Sequence, residues 1–172
     1  GFFYPGYQQL EHPFQKPGKQ HWVATNGDDA GPGTMEAPWK TLGHAAKTIQ
    51  GGDVVNIRPG FYLFSCGFGP AGPNEDKKTL YRAADPSFRS GRVVISADKT
   101  FASPNWSLSD NLSIQGLWIG GSYANAHKKG GGSYSSRNSE IIGCTFFNAA
   151  GFAGGPAYNW LFQDNRMVHQ GK

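Results

Sequence analysis

The chain of 172 residues is long enough for one domain with a buried core, and an aromatic share of 14% excludes a disordered polymer. Gly accounts for 25 residues and only 38% of the chain is hydrophobic, a composition of turns and strands rather than helices. A net charge of +4 without a basic stripe argues against a nucleic-acid surface, and no apolar run approaches the ~20 residues of a membrane span.

Residues 1–21 are rich in aromatics, Pro and Gln, show no period, and read as an N-terminal arm ahead of a domain over 22–172. Residues 22–25 (WVAT) read as a short strand, followed by a turn cluster at 26–34. Asp28 and Asp29 in that cluster offer the hard oxygens that Ca²⁺ takes. The stronger reading is that they hold turns by accepting from nearby backbone N–H groups, so that no cofactor is implied beyond this candidate Ca²⁺ pair. A helix is expected over 38–50, where Leu42, Ala45, Ala46 and Ile49 form one apolar stripe, with Pro38 in the first turn and Gly51-Gly52 as the stop. Val54, Val55 and Ile57 make a strand closed by Pro59-Gly60, and two more strands are expected at 80–84 and 92–97.

The last third repeats. Asn111–Ile119, Asn138–Phe146 and Asn159–Met167 align at offsets of 27 and 21 residues, a period that marks solenoids. Two-residue alternation puts Ile114, Ile141 and Phe162 in one inward column. Leu117, Cys144 and Asn165 form a second, and Ile119, Phe146 and Met167 a third. An inward Asn165 is acceptable only if its amide bonds backbone groups in a turn. Cys144 there acts as a small buried hydrophobe, which favours free thiols over a bond to Cys66. The outward columns are Ser113, Glu140 and Leu161; Gln115, Ile142 and Gln163; and Trp118, Thr145 and Arg166. Asp164 takes the turn position of Gly116 and Gly143.

The stretch WVATNGDDAGPGTMEAPWKTLGHAAKTIQGGDVVNIRPGFY resembles the N-terminal signature of many secreted parallel β-helix proteins of the pectate-lyase superfamily. Gly27, Asp29, Pro32, Gly33, Thr34, Pro38, Trp39, Gly52, Asp53, Pro59, Gly60 and Tyr62 match it, while Gly51 replaces the usual Pro before the Gly-Asp pair. The stretch TLYRAADPSFRSGRVVISAD is similar to the next rung of β-helical polysaccharide lyases and β-xylosidases. The resemblance implies an all-β, right-handed parallel β-helix (a solenoid) whose helix caps the N-terminal end, in a secreted or extracellular protein, the periplasm being the alternative. It carries no catalytic residue over, because one fold hosts many activities.

Two functions follow. One is a carbohydrate-active protein, all or part of a polysaccharide lyase or glycoside hydrolase. On the outward ladder Trp118 supplies a flat face for sugar stacking and Arg166 a fork for carboxylates. A lyase base would come from the loop His127-Lys128-Lys129, joined by Arg137 and Arg166; a glycosidase pair would use Glu140 with Asp164. The other is a non-catalytic structural, adhesive or spike-like module that self-associates. After the third repeat only His169, Gln170, Gly171 and Lys172 remain, too little to cover Phe162 and Met167. The domain is therefore read as incomplete at the C-terminus, that end being covered by missing rungs, a second chain or a copy of itself.

Overall fold

The structure, a computed structural model, describes residues 6, 18–64, 67–97, 108–120, 123–124, 127–128, 132–133, 136–147, 152–153 and 158–168. The chain begins with β1 (Gln20–Val23) and α1 (Leu42–Thr48), then β2 (Val54–Ile57), β3 (Gly60–Leu63), β4 (Thr79–Ala83), β5 (Val93–Ser96), β6 (Leu112–Gln115) and β7 (Leu117–Gly120). Short strands follow at β8 (Tyr123–Ala124), β9 (His127–Lys128) and β10 (Gly132–Ser133). The last are β11 (Glu140–Ile142), β12 (Thr145–Phe147), β13 (Phe152–Ala153), β14 (Leu161–Gln163) and β15 (Arg166–Val168).

The fold is mostly β, with two parallel sheets and one short helix among the described residues. The first sheet runs β1-β2-β4-β6-β11-β14 and the second β3-β5-β7-β12-β15. After β1 the chain visits them alternately, each circuit from β2 onward adding one strand to each. A further parallel pair, β8 with β13, continues the same stacking, whereas β9 and β10 pair antiparallel. The repeats align as the alternation predicts. Ile141 pairs with Ile114 and Phe162, Phe146 with Ile119 and Met167, and Thr145 with Trp118 and Arg166. The inward residues of the first two repeats form one core with Val23, Val55, Ile57, Tyr81, Val93 and Ile95.

The corners explain why the circuits superimpose. Asn111, Asn138 and Asn159 have φ of 51°, 54° and 53°, a left-handed conformation that Asn tolerates better than other side chains. Their amides form a ladder. Asn159 Nδ2 donates to Asn138 Oδ1 at 2.8 Å, Asn138 Nδ2 to Asn111 Oδ1 at 2.9 Å, and Asn111 Nδ2 to the Gly72 carbonyl at 2.9 Å. A second corner repeats at Gly116, Gly143 and Asp164, all left-handed. Asn165 meets its condition: Oδ1 accepts from Cys144 N–H at 2.9 Å and Nδ2 donates to the Ile141 carbonyl at 2.7 Å.

The helix is shorter than the periodicity suggests. It starts at Leu42 because Trp39 is used as strand: it bridges Val23, its N–H donates to Trp22 O and its carbonyl accepts from Ala24 N–H. Thr41 is the N-cap, its hydroxyl accepting from His44 N–H. Leu42, Ala45 and Ile49 bury into the core beside β1, with Ala46 half-buried. The strand after Gly-Asp ends at Ile57, before Pro59-Gly60, as expected. A corner there leads straight into β3, and Gly60 has φ of 150° where a Cβ would lie 2.5 Å from Thr25 Cγ2. Of the expected N-terminal arm, Gln20 and His21 belong to β1, and residues 1–5 and 7–17 lie outside the described residues.

Asp53, from the Gly-Asp pair, ties the start of the fold together. It accepts from Lys19 N–H at 3.1 Å and Gln50 N–H at 2.9 Å, and meets His21 Nε2 at 3.0 Å. The His21 ring stacks on Trp39, with centroids 4.8 Å apart. At the other end of the sheets Phe162 and Met167, inward by register, are 48% and 52% exposed.

The ladder makes an ordered prediction. Asn138→Ala removes two amide links and a left-handed-tolerant residue, and is expected to destabilise by about 2–4 kcal/mol. Asn159→Ala, at the exposed end of the ladder, should cost about 1 kcal/mol less. Urea denaturation of the two variants checks the ranking; equal losses would contradict the ladder.

Candidate functional site

The outer faces of the two sheets differ. On the first sheet the outward residues of β6 and β11 are covered: Ser113, Gln115 and Ile142 are fully buried and Glu140 is 5% exposed. Glu140 and Ile142 keep the outward register that the alternation predicts, and that side of β11 is covered. Glu140 pairs with Lys78, Nζ to Oε1 at 3.3 Å, and Lys78 Nζ also donates to the Glu75 carbonyl at 2.6 Å. A buried carboxylate held by an ammonium is a structural tie, because each charge lacks the water that would stabilise it alone. The other member of the suggested glycosidase pair, Asp164, is exposed in its turn. Nearer the start of this sheet a polar chain runs outward, Arg82 Nε donating to Asn56 Oδ1 and Asn56 Nδ2 to Gln20 Oε1, each at 2.8 Å.

The outer face of the second sheet carries the column Phe61, Val94, Trp118, Thr145 and Arg166 by register. Phe61 and Arg166 are exposed, Val94 and Trp118 half-buried and Thr145 buried. Trp118 and Arg166 thus share a ladder as expected, two strands apart, or roughly 9–10 Å. Arg92 stands beside them, its guanidinium carbon 5.4 Å from the Trp118 ring centroid and 4.1 Å from that of Phe88. Such contacts favour a cation over an aromatic face.

The remaining candidates scatter. Arg137 is exposed, its guanidinium 5.7 Å from the Tyr158 ring centroid, on the corner before β11 rather than on the Trp118 column. Lys128 lies in β9, and Lys129 lies outside the described residues. Asp28 and Asp29 do not converge. Asp28 Oδ1 accepts from Ala30 N–H at 3.0 Å, whereas Asp29 accepts from Lys40 N–H, Thr41 N–H and the Thr41 hydroxyl. Partial burial pulls the Asp29 pKa upward, but these Thr41 and Lys40 hydrogen bonds, with the His44 charge, bring it below the usual carboxylate value. Among the described residues no group of three or more His, Cys, Asp or Glu is placed to hold a metal. Cys144 is a free, buried thiol whose pKa burial pushes up to about 12, so it is inert at neutral pH. Cys66 lies outside the described residues.

Sequence reasoning missed Arg92, Phe88 and Lys78. The signal for the first two is the run Asp85–Arg92, in which Asp and two Ser at short spacing mark a self-bonded turn. Asp85 accepts from both serine hydroxyls and from the Ser90 and Ser87 N–H groups, which holds its carboxyl far below the ordinary value.

No protein-family model matches the chain, and no curated protein matches it. Among solved structures it is similar to a rhamnogalacturonan lyase, with 17% identity and a TM-score of 0.46 over 87% of this chain. The match takes in 51% of the other chain, so this one spans about half the length of the structure it resembles.

The buried pair is open to a double-mutant cycle. Glu140→Gln takes the carboxylate charge away from the buried Lys78 ammonium and is expected to cost about 3 kcal/mol, while Lys78→Met with Glu140→Leu together should recover most of that. Urea unfolding of the single and double variants reads the coupling. A Glu140→Gln protein as stable as the wild type would return Glu140 to the list of surface ligands.

Proposed function

We propose that the two alternately visited parallel sheets are flanks of a right-handed parallel β-helix, with α1 as its N-terminal cap, in a secreted protein acting on an extracellular polysaccharide. Parallel strands joined through crossovers favour the right hand, and the buried stripe of α1 beside β1 is what a cap requires. In this reading the polymer lies along the outer face of the second sheet, and the reaction class is that of a polysaccharide lyase or a glycoside hydrolase. The observation that supports it best is the single column carrying the half-buried Trp118 ring and the exposed Arg166 guanidinium. The covered outer face of the first sheet, with Glu140 committed to Lys78, offers a polymer much less.

Trp118→Ala is expected to weaken binding to the wild type's best ligand among pectic polymers and alginate about tenfold, near 1.4 kcal/mol, as read by calorimetry. Release of unsaturated uronate marks a lyase, and new reducing ends without it mark a hydrolase. Undiminished binding by Trp118→Ala removes the sugar from this face.

A non-catalytic, self-associating module is favoured by one observation. Leu161, Phe162 and Met167 are 37%, 48% and 52% exposed on β14 and β15, the last strands of the two sheets among the described residues. The start of the fold is already closed, since the outer side of β1 pairs with Gly33 and Trp39. Association through that end would therefore join like ends rather than build a filament. Light scattering should show concentration-dependent association that Phe162→Lys with Met167→Lys abolishes. A monomeric wild type at high concentration counts against the module.

A further inference from the structure

We infer that the outer face of the second sheet, where it meets the Asp85–Arg92 loop, is a docking surface for an extended aromatic segment. The occupant is the chain's own N-terminal stretch Phe2-Phe3-Tyr4. The docking stands by itself; its consequence, competition with a polymer, rests on the polysaccharide reading of that face.

Three observations carry it. The first is where the stretch is anchored. Gly6 lies so close to the loop that a Cβ there would collide with the Pro86 carbonyl and come within 2.7 Å of Ser87 Cα. Only glycine fits this seat, which is two residues from Phe88 at its nearer side. Gly18 makes a matching approach at the start of the fold, where a Cβ would lie 2.9 Å from Asp53 Cα. The segment is thus laid against the body at both glycines. The second observation is the surface itself. By register Phe61 and Val94 precede Trp118 on the outward column, with Leu63 further along β3. Phe61 and Leu63 are 39% and 53% exposed, so this part of the face is apolar. The loop adds Phe88, whose left-handed backbone at φ of 57° is held by the turn around Asp85, with its ring against the Arg92 guanidinium. Rings with a cation between them form a surface that takes further aromatic rings, edge to face or over the cation. That end of the face is engaged, since Phe61, Phe88, Arg89 and Arg92 each make a further interaction. The third observation is reach. Residues 1–5 extend up to roughly 17 Å from Gly6, and the strands carrying Phe61, Val94 and Trp118 span about 10 Å. Three consecutive aromatics precede Pro5, which biases the residue before it toward extended backbone. Tethering gives the stretch an effective concentration on the order of millimolar, so a contact too weak to persist between molecules is filled within one. A sugar seated on Trp118 would have to displace it.

Hydroxyl-radical footprinting of the full chain, read by mass spectrometry, reports side-chain exposure directly. The proteins are the wild type, the triple variant Phe2→Ala with Phe3→Ala and Tyr4→Ala, and Gly6→Val, which unseats the stretch but keeps its aromatics. Labelling at Phe61 and Trp118 is expected to rise about fivefold in both variants, since a millimolar effective concentration keeps the stretch docked most of the time. Exposed Tyr158 should label equally in all three and buried Tyr81 in none, which verifies folding. A peptide of residues 1–8 should restore protection to the triple variant, half of it at about 0.1–1 mM. Unchanged labelling at Phe61 and Trp118 in both variants overturns the inference, whatever the protein binds. Protection that fades as the wild type is diluted also overturns it, because the occupant is then a second copy. Calorimetry with pectic polymers and alginate reads the consequence. Both variants should bind the wild type's best ligand about fivefold more tightly, as the competing stretch is released. If labelling rises and no protein binds a polymer, the docking stands and the polysaccharide reading falls. If labelling rises and polymer affinity is unchanged, the docking stands and the competition is overturned.

Discussion

Every circuit of this chain has to turn the same corner at the same height, and a left-handed residue at that corner is what makes the circuits superimpose. Asn111, Asn138 and Asn159 adopt nearly one conformation, and their side-chain amides bond one to the next along the stack. The interaction is local in conformation and long-range in consequence. Once the corners are stacked, two-residue alternation brings Ile114, Ile141 and Phe162 into one column and Ile119, Phe146 and Met167 into another. A slip of one residue would lose both the amide ladder and the apolar columns, so register is doubly specified.

The start of the fold solves a different problem. The first strand of a stack presents unpaired backbone groups and an open core, and here both are met by residues of the N-terminal signature. Trp39 supplies backbone partners to β1, buries its ring against His21, and donates from Nε1 to the Gly31 carbonyl at 2.9 Å. Asp29 holds the N–H groups of Lys40 and Thr41, and Asp53 joins β1 to the turn after α1. Gly33, at φ of 71°, leaves no room for a Cβ, which would lie 2.3 Å from the Trp39 ring. The signature is thus architectural: its acids accept hydrogen bonds from the backbone.

The two outer faces divide the work. The first sheet is covered on the outer side of β6 and β11 and uses polar residues as internal ties, the Lys78–Glu140 pair among them. Such a pair adds little net stability over apolar packing, but it penalises any arrangement that separates the two charges. The second sheet keeps aromatic and cationic side chains within reach of solvent, and the Asp85 loop shapes one edge of that face. The inward columns carry the core, while the alternating side chains of the second sheet include the exposed Phe61 and Arg166.

Sequence alone determined the β class, the inward and outward columns, and the backbone role of Asn165. It could do so because these depend on a period of two and on conformational preferences of Asn and Gly, properties carried by the residues themselves. Tertiary structure decided the rest. Alternation shows which side of a strand Glu140 takes but not whether that side is covered, so Glu140 reads as a ligand in sequence and proves to be the buried partner of Lys78. The helix was over-extended because the apolar stripe carries no information that Trp39 will be drawn off to pair with β1. Arg92 was passed over for a similar reason. Its aromatic neighbours come from a strained turn and from the next strand of the second sheet, and only the stacking of one circuit on another brings Phe88, Arg92 and Trp118 together.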